Sequence, residues 1–219
     1  MGASMHIECA VCRVKTAKAD VSYVVSGKPK HEGTNYNVKG SHSTKIEAVV
    51  SELIRLRDED PTVKVLIFST WDKVLDVIGE ALKLNSVSFR RFGVDSKSRN
   101  GILQFKTGCV SALLLPLRFG CKGLNLIEAT HVFLVEPILN PADELQAVGR
   151  VHRIGQTKET FVHRFVIRNT IEERMLTCLE SEDASEWSNE NLTILKLYDL
   201  FSGPNEEINV ENNVAVNNS

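Results

Sequence analysis

Residues 41–180 are predicted to form an α/β domain, a parallel sheet flanked by helices, because helical and strand signals alternate along them. Two observations carry this. Val63 to Phe68, Val110 to Leu115 and His131 to Val135 are short and apolar almost throughout, as strands covered on both faces must be. The stretches that precede or separate them place apolar residues at i, i+3 and i+4, the period of a helix with one buried face.

The elements follow in order. Thr44 and Glu47 have the spacing of a capping box, and behind them Ile46, Val49, Val50, Leu53 and Ile54 share a helix face. The Val63 to Phe68 strand leads to a second helix over Trp71 to Leu84, with Val74, Leu75, Ile78, Ala81 and Leu82 as its stripe. Val87 to Phe92 reads as extended, Ser96 to Phe105 as helical, and Val110 to Leu115 and His131 to Val135 as buried strands. Asn140 offers an N-cap with Pro141 at the first helical position, where a missing N–H costs nothing. Thr160 to Ile167 is rich in β-formers, and Thr170 with Glu173 opens a last helix to about Glu180.

The flanks read differently. Residues 1–25 precede a polar linker over 26–40 that carries Gly27, Pro29 and Gly33 and has little to bury. After 180 come an acidic patch and a helical stretch over 181–201. The Asn- and Glu-rich tail over 202–219 cannot bury enough to offset its ordering entropy and is expected to be disordered.

With 42% hydrophobic and 25% charged residues in 219, the chain can build one ordinary core. A net charge of -2 excludes binding of nucleic acid through bulk basicity, so any such contact must be local. Five cysteines, Cys9, Cys12, Cys109, Cys121 and Cys178, form no regular framework and suit a reducing compartment. No leader segment or long apolar span is apparent, and no membrane partner is expected.

The run QAVGRVHRIGQ, Gln146 to Gln156, sets Arg150 and Arg153 three residues apart in a segment that reads as helical, which would put both on one face. Paired guanidiniums suit a phosphoryl group that gains charge during transfer, although a solvated basic helix end has the same pattern. Together with Val65 to Trp71 (VLIFSTW) and Gly123-Leu124-Asn125-Leu126 followed by Asn140-Pro141, the run resembles the ordered motifs of Swi/Snf-type ATPases of helicase superfamily two.

That resemblance implies the second, C-terminal RecA-like helicase lobe. It makes Arg150 and Arg153 arginine fingers, places Gln146, Gly123 and Asn125 by the nucleotide, and sets Ser69 and Thr70 on the DNA backbone. One block departs from the family. Where members read something like STRAGGLGINL, this chain has Pro116 to Lys122, so Leu117 replaces a DNA-facing threonine and Arg118 and Lys122 remain to supply charge. Trp71 reads as a core anchor and His152 as a structural hydrogen-bonding residue. The implied cofactor is ATP with Mg2+, held mainly by a first lobe. No Gly-rich phosphate loop or acidic box occurs in the sequence, so the chain alone is expected to be inactive.

His6, Cys9 and Cys12 form the other constellation. C-x-x-C is half of many zinc sites, and two reduced cysteines without metal would look the same. Cys9 to Arg13 resembles the closing ligands of a RING finger, with Zn2+ bound only in an intact RING. The resemblance to RING-containing members of the Swi/Snf family implies as partners a first helicase lobe, double-stranded DNA or a nucleosome, and a ubiquitin-conjugating enzyme. It also implies a role in DNA repair or chromatin, in the nucleus. The competing expectation is a non-catalytic DNA- or protein-binding module that keeps the lobe fold.

Overall fold

Five strands, all parallel, organise residues 44–180 in the order β4-β5-β3-β6-β7. The computed structural model of the chain describes residues 6–8, 15–17, 36–93, 97–108, 110–117, 124–180 and 201. In chain order the elements are β1 (His6–Glu8), β2 (Lys15–Ala17), α1 (Thr44–Glu59), β3 (Val65–Ser69), α2 (Asp72–Leu84), β4 (Phe89–Arg91), α3 (Lys97–Lys106), β5 (Ala112–Pro116), β6 (His131–Leu134), α4 (Pro141–Val148), β7 (Phe161–Arg164) and α5 (Ile171–Glu180). The short β1 and β2 pair antiparallel by themselves, with Ile7 opposite Thr16.

The apolar strands are central for the reason their sequences suggest. β3 and β5 are buried at every position and pair in register from Val65 with Ala112 to Ser69 with Pro116. Alternate residues feed two cores. Val65, Ile67, Ala112, Leu114 and Phe133 meet Val49, Val50 and Leu53 of α1 and Leu75, Ile78 and Leu82 of α2. Leu66, Phe68, Leu113, Leu115, Val132 and Leu134 face the other way, toward Phe105 of α3, Ala147 of α4 and Val151. The result is a three-layer α/β/α lobe, as expected. Gly79 lets α2 lie close to the sheet, since a Cβ there would stand 3.1 Å from the Phe89 ring.

Asn140 caps α4 as its sequence predicts, its Oδ1 accepting from the Ala142 N–H at 3.0 Å with Pro141 beside it. Thr170 and Glu173 also cap. Thr170 Oγ1 accepts from the Glu172 N–H, while Glu173 reaches the Asn169 N–H at 2.7 Å. The Thr44 and Glu47 box does not form: α1 begins one residue earlier than the box requires, with Ser43 at the N-cap and no side-chain cap bond. Lys39, at the end of the expected linker, is tied to Asn85 through two hydrogen bonds, 2.8 Å and 3.2 Å long. The rest of that linker over 26–35, the expected helix over 181–200 and the tail over 202–219 lie outside the described residues. Among the described residues, no helix is long and apolar enough to cross a membrane.

Beneath α1 the sheet carries a part-buried polar network. His131 Nδ1 and His163 Nε2 stand 2.9 Å apart, and His163 Nδ1 faces Glu52 Oε1 at 3.4 Å. Glu52 is held in turn by Nε and Nη2 of Arg55. Aromatic rings enclose the histidines, with Phe161 stacked on His131 and Phe133 tilted against His163. Burial pushes His131 down to about 4, helped by the neighbouring His163, and lowers His163 as well.

Candidate nucleotide and DNA surfaces

Helix α4 stops before the arginines. Its C-cap is Gly149, and the chain then winds through tight turns in which Arg150 N–H donates to Ala147 O and Gln156 N–H to Arg153 O. The expectation of one shared helix face is therefore corrected. Arg150 and Arg153 sit on the turn after α4, which ends at Val148 with Gly149 as its C-cap, and a left-handed Gly155 (φ 103) redirects the chain only after both arginines. The pair still converges. Nη1 of Arg150 lies 3.4 Å and Nη1 of Arg153 3.3 Å from one acceptor, the carbonyl of Leu124, and the Leu126 N–H donates back to Arg150 O at 3.1 Å.

The Arg153 bond to this neutral carbonyl lies toward the long limit of hydrogen-bond distances. Stronger acceptors for such planar donors are carboxylate and phosphate oxygens. Asn125, next to Leu124, is exposed, as is Gln146 on α4, so both present their side chains to solvent. Gly123 lies outside the described residues. The His152 ring, expected to make a structural hydrogen bond, is exposed.

Ser69 and Thr70 belong to a second constellation, at the carboxyl ends of β3 and β6. Ser69 is 2% exposed, and its Oγ donates to Glu136 Oε1 at 3.0 Å. The Thr70 N–H donates to the same oxygen, while the Trp71 N–H donates to Ser69 Oγ at 3.1 Å. The Thr70 side chain is exposed. Trp71 is not a core anchor: it is 66% exposed, because it precedes α2 as an extended N-cap beyond the end of the sheet. Leu117 is buried in the second core cluster, so its side chain supplies packing. Arg118, Lys122, Cys9 and Cys12 lie outside the described residues. Among the described residues, no group of three or more His, Cys, Asp or Glu is placed to hold a metal ion.

Gln156 holds the arginine turn in place, a role its sequence did not announce. Its Nε2 donates to Ile127 O at 2.9 Å and Ala129 O at 3.0 Å, and its Oε1 accepts from the Lys158 N–H. Gln156→Ala strips a donor from part-buried carbonyls and should cost roughly 1–3 kcal/mol of stability, read as a lowered urea midpoint at unchanged m-value. Gln156→Glu should be no better, since it turns a carboxylate oxygen toward those carbonyls.

Residues 44–155 match the family described as the helicase conserved C-terminal domain. The chain is 49% identical over 210 residues to E3 ubiquitin-protein ligase SHPRH of Mus musculus, a match covering 92% of this chain and 12% of that protein. It is 35% identical over 171 residues to DNA repair protein RAD5A of Arabidopsis thaliana, covering 76% of this chain and 16% of that one. Among solved structures it is similar to the C-terminal part of the Fun30 ATPase domain, with a TM-score of 0.56, 27% identity, and coverage of 64% of this chain and 47% of the other. The chain thus spans about an eighth of the length of the mouse relative.

Proposed function

This chain belongs to the helicase conserved C-terminal domain family, within which it is SHPRH-like, and we propose that it acts as the second lobe of a DNA-dependent ATPase, supplying Arg150 and Arg153 to ATP bound by a first lobe. One observation carries the reading: two guanidiniums from one turn meet at a single carbonyl of the neighbouring loop. Their donors fit phosphate oxygens in number and shape. Closure of the lobes would exchange the Leu124 carbonyl for the γ-phosphate, and the two cations would then offset the charge that builds on its equatorial oxygens. Magnesium would be held by first-lobe residues and would supply charge neutralisation to the nucleotide phosphates. Asn125, next to Leu124, and Gln146, one helical turn before Arg150, are both exposed and would complete the nucleotide edge.

DNA would run along the carboxyl ends of β3 and β6, against Thr70, with Arg118 and Lys122 as further phosphate contacts and Ser69 supporting the turn. In the intact protein, Cys9 and Cys12 would serve as RING ligands to Zn2+, and the RING would engage a ubiquitin-conjugating enzyme. Two relatives, named as a ubiquitin ligase and a DNA repair protein, support that wider reading and a nuclear location. The test is reconstitution of this chain with a first lobe from an SHPRH-like protein. ATP turnover that rises on adding duplex DNA is expected, and a pair that forms yet shows no turnover would return the lobe to a binding module.

A further inference from the structure

We propose that Glu136 decides whether the turn between β3 and α2 can take a phosphate, because its carboxylate already fills the anion position there. The geometry stands by itself, and only its consequence for DNA rests on the function proposed above. Glu136 Oε1 accepts from Ser69 Oγ at 3.0 Å and from the Thr70 N–H, which are the two donors that the turn would offer to a backbone phosphate. Ser69 Oγ has a single proton to give, with Trp71 O at 3.3 Å as its other acceptor, and it accepts from the Trp71 N–H at 3.1 Å. The donors that hold Glu136 Oε1 on this turn are thus a hydroxyl and a backbone amide, both neutral.

The placement follows from the sheet. β3 and β6 are parallel neighbours with Phe68 opposite Leu134, so the chain leaves both strands on one edge, and residues 69–70 and 136 come together there. Carboxylate and phosphate are both oxyanions that compete for the same N–H and O–H donors. A phosphate that approaches while Glu136 stays meets an occupied turn and a like charge; one that binds must first expel the carboxylate. Thr70 Oγ1, on an exposed side chain, is the remaining hydroxyl on this turn. Glu136 therefore sets a threshold for DNA engagement by this lobe.

The experiment compares the full chain with Glu136→Ala and Glu136→Gln. The Thr70 amide is followed by NMR during titration with inorganic phosphate, and a labelled short duplex is titrated by anisotropy at several salt concentrations. In Glu136→Ala the Thr70 amide should shift with phosphate at concentrations that leave the parent unmoved. Duplex affinity should rise about three- to tenfold, the scale of one net hydrogen bond. Adding Ser69→Ala should abolish the gain. Glu136→Gln, which keeps an acceptor without charge, should move in the same direction by less, and it decides the matter if the alanine variant does not fold. A silent Thr70 amide in a folded variant overturns the inference, as does weaker duplex binding at an unchanged melting temperature, which would make Glu136 a support for the turn. Phosphate binding at Thr70 in Glu136→Ala with no duplex binding by either protein would uphold the inference and sink the DNA reading.

Discussion

Arg153→Ala, in a two-lobe assembly built from this chain and a first lobe, is expected to lower DNA-stimulated ATP turnover by on the order of a thousandfold. The size follows from where the group acts. In this lobe Arg153 makes a 3.3 Å contact with the Leu124 carbonyl that it shares with Arg150, so little native stability depends on its guanidinium. Against a phosphoryl group in transfer, the same guanidinium would meet charge that exists only in the transition state. A loss of that kind lowers kcat and kcat/KM together and leaves the ATP KM nearly unchanged. The urea midpoint should stay close to the parent, and so should duplex affinity, since the DNA edge is built from other strands. Arg153→Lys keeps the charge but loses the planar fork and should fall between the two. Arg150→Ala should act in the same sense on turnover. Its backbone carbonyl, which accepts from the Leu126 N–H, is untouched by the substitution. Full turnover in Arg153→Ala would remove the fingers from the mechanism.

Much of the lobe was legible because its signals are local. All five strands of the parallel sheet fall where short apolar or β-rich runs place them, and Asn140-Pro141 starts α4 by the chemistry of its own side chains. What the sequence misplaced depends on partners far along the chain. Arg150 and Arg153 do share a target, but through Leu124 on a distant loop and not through a helical face, because α4 ends at Val148, before either of them. Ser69 was legible as a hydroxyl at a strand end, yet its partner Glu136 lies 67 residues away, brought close only by the pairing of β3 with β6. Trp71 misled for a related reason. Its size argues for burial, while its position one residue before α2 carries it past the end of the sheet. Gln156 carried no signal in isolation, since a glutamine in a polar turn looks solvated until the carbonyls of Ile127 and Ala129 are placed around it.

Stability of the lobe should fall as pH drops from 7 toward 4, and the histidine pair should account for much of the loss. The arrangement satisfies itself when both rings are neutral: His163 donates from Nδ1 toward Glu52 and accepts at Nε2 from Nδ1 of His131. Protonating either ring places a cation beside Phe133 and Phe161, close to the other imidazole. Burial accordingly pushes His131 from 6.5 down to about 4, with His163 and Arg55 acting in the same direction and Glu52 and Asp60 opposing. His163 is lowered by burial and by Arg55, against the pull of Glu52. Unfolded histidines bind protons below about 6.5. Between that pH and about 4 the unfolded chain holds more protons than the folded one, so stability rises with pH and is lost on acidification. At about 1.4 kcal/mol per pKa unit, the His131 depression corresponds to roughly 3 kcal/mol across that window. Burial raises the Glu52 carboxyl, but Arg55 and the two histidines hold it below its ordinary 4.5, so its protonation at still lower pH costs stability in the same direction. Urea titrations at neutral, mildly acidic and acidic pH would measure the slope. In His131→Phe, whose ring can keep the stack on Phe161, the slope between neutral and mildly acidic pH should flatten relative to the parent. Equal slopes in parent and variant would mean that the folded lobe carries His131 charged, and that the network is an ion chain anchored on Glu52.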